Sequence, residues 1–233
     1  MSATIIDVET TGLDNGQHKV IEISALTFEP DTDQPRGEIL NLFSTLVIQD
    51  VAPSEEITRI TGIKHEHFSL GMRPEGAWLM LQRILDNTGC IVAHNAEFDI
   101  GFIKPHVNIK VPVIDTMTAI PLPKGCGKSL REICLMHRVR SIGEHRAFAD
   151  CIALYQVLML YNWQTILERA RSPIVEIVAD LSYDAMTAMP DDKKPKAFGF
   201  RWNPERKIWV LKIPKCDLSA EYPFQTIQQE GRA

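Results

Sequence analysis

The run Thr4-Ile5-Ile6-Asp7-Val8 constrains the fold more than any other part of the chain. It is short and nearly all apolar, the pattern of a strand covered on both faces at the centre of a sheet. Thr10-Thr11-Gly12 closes it. A second strand is predicted from about Val20 to Phe28, with alternating Ile21, Ile23 and Ala25. Glu29 to Gly37 holds two prolines, three acids and a glycine, which predicts a hairpin loop. A third strand follows from about Glu38 to Ile48. The chain therefore opens as a three-stranded antiparallel meander.

The apolar period then changes from two to 3.6. Ala77, Leu81, Ile84 and Leu85 make a helical stripe between Pro74 and Asn87. Cys90 to Ala93 predicts a short buried strand. Asn95 stands where it can cap the next helix, which turns Phe98, Phe102 and Ile103 inward. Val111 to Ile114 predicts a strand and Ser129 to His137 a helix. Ala147 to about Arg169 predicts the longest helix, with Cys151, Leu154, Val157, Leu158 and Tyr161 apolar. A meander followed by alternating helix and strand defines an α/β domain, a mixed sheet with flanking helices, over residues 1–170.

Ser172-Pro173 ends the long helix. Residues 171–184 read as a linker. Phe198 to Trp202 and Lys207 to Leu211 flank Asn203-Pro204-Glu205-Arg206, a hairpin pattern, so 185–217 reads as a small β-rich module and 218–233 as a loose tail. Charge divides in the same place. Residues 1–170 carry 15 basic and 21 acidic side chains, and 171–233 carry 10 and 9. A net charge of −5 argues against a protein that coats nucleic acid by general positive charge, though a local groove can still be basic. No window approaches the roughly 18 apolar residues of a membrane span. The N-terminus lacks a signal-like block. The five cysteines are odd in number and irregular in spacing, which fits a reducing compartment. A cytoplasmic protein with no membrane partner is the expectation.

Chemistry enters with the acids. Asp7 and Glu9 lie two apart on the first strand, so both carboxylates point to one face. Two adjacent carboxylates repel, and a divalent cation relieves them; a strand end dipping into solvent explains them equally simply. Asp99 follows a buried strand by one helical turn, either as charge at a helix start or at the carboxyl edge where α/β ligand sites lie. Asp150 lies beside the apolar stripe of the long helix and needs a partner. His145, five positions earlier, would point about 140° away on a continuous helix. Both reach one site only if His145 precedes the helix on a loop, which Gly143 favours. Four acids and one histidine at strand and helix edges suit phosphodiester hydrolysis. Two Mg²⁺ or Mn²⁺ ions about 4 Å apart would clamp the reacting oxygens, and a histidine has the pKa to deprotonate water.

Three segments carry a resemblance: Asp7-Val8-Glu9-Thr10-Thr11-Gly12-Leu13, His94-Asn95-Ala96-Glu97-Phe98-Asp99, and His145 to Asp150 as H-x-A-x-x-D. In order and spacing they resemble the three motifs of the DEDDh-type 3′–5′ exonuclease superfamily, whose members include the polymerase III epsilon proofreading subunit and exonuclease X. The resemblance covers about residues 3–168. It implies a ribonuclease H-like fold. It also implies a metal-dependent exonuclease releasing nucleoside monophosphates from a free 3′ end, DNA favoured over RNA. Asp7, Glu9, Asp99 and Asp150 would hold the metals and His145 would be the general base. The backbone of Thr10, Thr11 and Gly12 would hold the terminal nucleotide, with Leu13 wedged against its base. Ile63, in Ile60-Thr61-Gly62-Ile63, would pack on a base or else be a buried helix-end residue. His94, Asn95 and Phe98 would line the pocket. Many members are dimers, so a homodimer is an expectation drawn from the family. A chain with one catalytic domain and a small appendage resembles a stand-alone DNA repair or processing enzyme.

Other patterns carry less. Gly127-Lys128-Ser129 ends like a phosphate-binding loop, but the required earlier glycine is Leu122. Lys124 and Lys128 then read as solvated. His65-Glu66-His67 lacks a zinc-site spacing, as do Cys126, Cys134 and His137. Phe198, Phe200, Trp202 and Trp209 read first as the core of the small module and second as a platform for single-stranded nucleic acid. Two alternatives stay open: an exoribonuclease of the same fold, and a non-catalytic nucleic-acid binding protein whose acids are structural. The presence of all five catalytic-type residues argues against the latter.

Overall fold

The computed structural model describes residues 1–123, 126–140 and 145–229. Strands β1 (Ala3–Thr10), β2 (Val20–Pro30) and β3 (Gly37–Leu46) form the expected antiparallel meander. Helix α1 (Glu55–Thr61) starts where Ser54 accepts the Ile57 N–H and stops at left-handed Gly62. Helix α2 (Pro74–Leu85) begins with proline at its first position, where no N–H is needed. Strand β4 (Cys90–Ala93), helix α3 (Ala96–Ile103), strand β5 (Val113–Asp115) and a single turn, α4 (Thr116–Ala119), complete the first half. Strand β4 is parallel to β1 and β5 to β4, giving the order β3-β2-β1-β4-β5. The central place of β1 explains why it lacks a polar face.

Helices cover both sides. On one face Ala3, Ile5, Leu26, Phe28 and Val92 pack against α5 (Leu130–His137), α6 (Ala147–Leu158) and α7 (Trp163–Arg171). On the other, Ile6, Val8, Ile23 and Ile91 pack against α2 and α3. Alternation along β1 thus sends Ala3, Ile5, Asp7 and Glu9 toward α6. The expected single helix from Ala147 to Arg169 is two. Asn162 accepts the Thr165 N–H at 3.2 Å and starts α7 anew. The apolar period runs through the break, but a cap is a stronger local signal than periodicity.

A second sheet follows, from β6 (Ile174–Ala179), β7 (Arg201–Asn203), β8 (Ile208–Pro214) and β9 (Thr226–Gln229), in the order β7-β8-β6-β9, with α8 (Tyr183–Ala188) between β6 and β7. This corrects two expectations. The stretch 171–184 holds the strand that pairs with both β8 and β9, and 218–233 supplies β9 rather than a loose tail. Their sequences lack a turn signal close enough to mark a hairpin, so the pairing is legible only in three dimensions. Phe200 is fully buried with Ile177 and Ile213, and Phe198 and Trp209 pack on them, as a core reading requires. Trp202 remains 48% exposed beside Trp209. The two sheets are joined by Arg169, which donates to the Ala119 and Thr118 carbonyls and pairs with Asp217. All five cysteines are free. Among the described residues no helix is long and apolar enough to cross a membrane.

Candidate active site

The site follows from strand alternation. Asp7 and Glu9 emerge from β1 on the face that α6 covers. Cys151 seats α6 there, its thiol 3.8 Å from the Ile5 and Ser24 carbonyls. Asp150, one position earlier, therefore faces the end of β1. One carboxylate oxygen from each of Asp7, Glu9 and Asp150 lies within 4.8 Å of the others, and all three side chains are partly buried. Asp99 comes from the opposite face. It is 2% exposed, and its Oδ1 accepts the Val8 N–H at 3.0 Å, so it locks onto β1 between the two acids.

Electrostatics make this cluster costly without a cation. Burial, then Asp99, Glu9, Asp150 and Glu22, drive Asp7 well above the carboxylate range. Burial and then Asp150, Glu22 and Asp99 push Glu9 to about 8. Burial pushes Asp99 to about 8 against the opposing Val8 hydrogen bond. Converging oxygens that resist ionisation are what a hard divalent cation satisfies, and carboxylates alone supply the donors here. The chemistry of the donor set thus fits Mg²⁺ or Mn²⁺.

The loop after β1 is tightly built. Thr10 donates to the Gly12 carbonyl at 2.6 Å, Thr11 N–H to Lys19 at 2.9 Å, and Thr11 Oγ1 meets His18 Nδ1 at 3.2 Å. A Cβ on Gly12 would lie 2.5 Å from the His18 ring, so only glycine fits without displacing that ring. The loop presents Leu13 to solvent, 86% exposed. Leu13, Asp14, Asn15, Asn95, Glu97, Phe98 and Phe102 line an open groove of ≈ 410 Å³. Leu13, Asn95 and Phe98, expected around a terminal nucleotide, thus meet at one surface.

Five residues singled out in the sequence each have their own setting. Asn95 precedes α3 in a left-handed conformation, φ 70°, and its side chain caps nothing; its N–H donates to Asp115 instead. His94 does not open onto the groove. Its Nε2 lies 2.7 Å from the Lys128 carbonyl, which only accepts, so Nε2 carries the proton. Burial holds the ring below its usual pKa, and Nδ1 lies 2.9 Å from the Thr116 hydroxyl. His94 is a strap between β4 and the loop before α5. Lys128, tied through that carbonyl, is half-buried rather than solvated. Lys124 and Gly125 lie outside the described residues, as does Gly143. Ile63 is fully buried with Ile21 and Phe68, so the helix-end reading holds and it offers no surface to a base. His145 precedes α6 on a left-handed turn, φ 58°, and is exposed; it stands outside the carboxylate group.

Sequence reading overlooked Glu22 and Arg146. Glu22 is 3% exposed and grips Arg146 through both oxygens, with Nη2 at 2.8 Å. An acid inside a strand whose neighbours are all buried was the available signal.

Comparison with known proteins agrees with this architecture. The family model described as Exonuclease matches residues 4–158, and the chain belongs to that family. It carries a nuclease domain on a ribonuclease H-like fold. Among curated relatives, a PolC-type DNA polymerase III from Clostridium perfringens is 30% identical over 66% of this chain, but the match spans 11% of that polymerase. The DNA polymerase III epsilon subunit of Treponema pallidum is 29% identical over 74% of this chain and 85% of that subunit. Among solved structures, exonuclease X in complex with 5′ overhanging duplex DNA superposes with a TM-score of 0.53, 24% identity, 72% of this chain and 96% of that chain. E. coli exonuclease I in complex with a dT13 oligonucleotide gives 0.59, 14% identity, 98% of this chain and 63% of that chain.

Proposed function

We propose that this protein is a metal-dependent exonuclease that hydrolyses DNA from a free 3′ end and releases nucleoside monophosphates. The observation that carries the reading is the convergence of Asp7, Glu9 and Asp150 within 4.8 Å on a chain of the Exonuclease family. Those three acids would hold Mg²⁺ or Mn²⁺, with Asp99 completing the site directly or through water. Two such ions, when bound, supply charge stabilisation to the attacking and leaving oxygens of the phosphodiester.

The chain's own residues do the rest. His145, exposed ahead of α6, accepts the proton of the attacking water and returns it to solvent. Asp99, through the Val8 N–H, holds the end of β1 so that Asp7 and Glu9 stay convergent. The Thr10–Gly12 backbone seats the terminal nucleotide, and Leu13 presses on its base opposite Phe98 and Asn95. Residues 1–170 form the catalytic domain, and the second sheet is an appendage. Preference for DNA is supported by the relatives, which are DNA polymerase components, and by the DNA bound in both structural neighbours.

The test uses 5′-labelled DNA and RNA oligonucleotides of one sequence, single-stranded and duplex, with Mg²⁺. The reading expects a DNA ladder that shortens one nucleotide at a time from the 3′ end, slower RNA digestion, and loss of both in His145→Ala. Release of labelled mononucleotide first, or RNA cut faster than DNA, would overturn the polarity or the substrate.

A further inference from the structure

Helix α6 lacks a cap of its own. Arg146 occupies its N-cap position and makes no side-chain hydrogen bond to the helix. The first amide, Ala147 N–H, would be an unsatisfied donor in a buried position. Glu22 satisfies it from β2, 125 residues away in sequence, accepting at 3.0 Å through Oε2. The same carboxylate accepts Arg146 Nε at 3.0 Å and Nη2 at 2.8 Å. Glu22 pairs in register with Glu9 on β1, so the two side chains share a face. Both Glu22 oxygens are thereby committed, and this acid is not one of the three whose oxygens converge.

The two groups nearest this anchor depend on it unequally. Asp150 is carried by the body of α6, which is packed through Cys151 and Leu154 into the core. His145 lies beyond the helix, in a left-handed turn. Among the described residues no side-chain hydrogen bond holds His145. Its orientation is inherited from Arg146 and Ala147, the two residues that Glu22 grips.

We propose that Glu22, through Arg146 and the Ala147 amide, is a positioning residue that fixes the turn carrying His145 at the start of α6. The inference rests on His145 being the base. Loss of the grip leaves the acids in place and lets the histidine wander. A displacement of about 1 Å at a proton-accepting group costs about a hundredfold in rate.

The experiment is a double-mutant cycle on a labelled single-stranded DNA oligonucleotide across an Mn²⁺ titration, with wild type, Glu22→Gln, His145→Ala and the double variant. Glu22→Gln is expected to lower kcat about tenfold to a hundredfold, with KM and the half-activating Mn²⁺ concentration within about threefold. In the His145→Ala background it is expected to change kcat by less than about twofold, because the group it positions is gone. Full multiplication of the two losses, a wild-type kcat in Glu22→Gln, or a loss explained by weaker Mn²⁺ activation overturns the inference. If circular dichroism finds Glu22→Gln unfolded, Arg146→Ala, whose side chain is 42% exposed, takes its place under the same criteria. A His145→Ala enzyme with wild-type kcat removes the base assignment itself, a result distinct from multiplication of losses.

Discussion

Replacing Glu9 by glutamine should stabilise the metal-free protein while removing its activity. The amide keeps the size of the side chain and discards its charge. Glu9 is held at about 8, against 4.5 for a free carboxyl, by burial and then by Asp150, Glu22 and Asp99, with Arg146 opposing. The folded pKa lies above the unfolded one, so the folded state retains its proton longer. Below pH 4.5 both states are protonated and the side chain has no effect. Between 4.5 and 8 the unfolded chain ionises first, and stability falls as pH rises; above 8 the penalty is complete. A rise from 4.5 to about 8 corresponds to about 5 kcal/mol in a dry site. Glu9 keeps some solvent contact, which screens this to about 2–3 kcal/mol. For a chain of this size that is about 4–12 °C in Tm. The assay is thermal unfolding by circular dichroism in EDTA at pH 6.0 and 8.5. Glu9→Gln should melt above wild type at pH 8.5, with a smaller gap at pH 6.0. Saturating Mg²⁺ should close the gap by stabilising only wild type. A variant that melts at or below wild type at pH 8.5 in EDTA refutes the electrostatic reasoning.

Leu13→Ala should raise KM about tenfold and leave Tm unchanged, since its side chain contributes to nothing but the groove; steady-state kinetics beside a melt checks both. Ile63→Ala should cost about 2–5 kcal/mol in urea unfolding and leave the KM of the folded enzyme unaltered, because a buried residue touches no substrate. Phe200→Ala should cost the second sheet about 3–5 kcal/mol. Limited proteolysis should then cut after residue 171 first, while nuclease activity on short DNA persists.

Periodicity is local and survives without neighbours, and so the meander, β4 and α2 were legible in sequence. So was the convergence of Asp7 and Glu9, because i and i+2 on a strand share a face whatever the tertiary context, while Asp150 joins them only through the packing of α6. What escaped reading depends on partners distant in sequence. β6 is recognisable only through β8 and β9, and Glu22 only through Arg146. Asn95 has the composition of a cap but the backbone of a left-handed turn, and its own amide donates to Asp115. Ile63 and His94 carry motif-like surroundings, yet the core claims one and Thr116 and Lys128 the other. The break at Asn162 is a cap inside an unbroken apolar stripe, where two local signals compete and the hydrogen bond prevails.

We propose that Asp7, Glu9 and Asp150 form a cation-dependent nuclease centre. The most direct measurement is the rate of mononucleotide release from a single-stranded DNA oligonucleotide by wild type and Asp150→Asn, each titrated with Mn²⁺ from an EDTA-stripped start. No release is expected in EDTA, with a saturable rise with Mn²⁺ in wild type and a rate at least about a thousandfold lower in Asp150→Asn at every Mn²⁺ concentration. Release in EDTA, or an Asp150→Asn protein that keeps the wild-type rate, would contradict it.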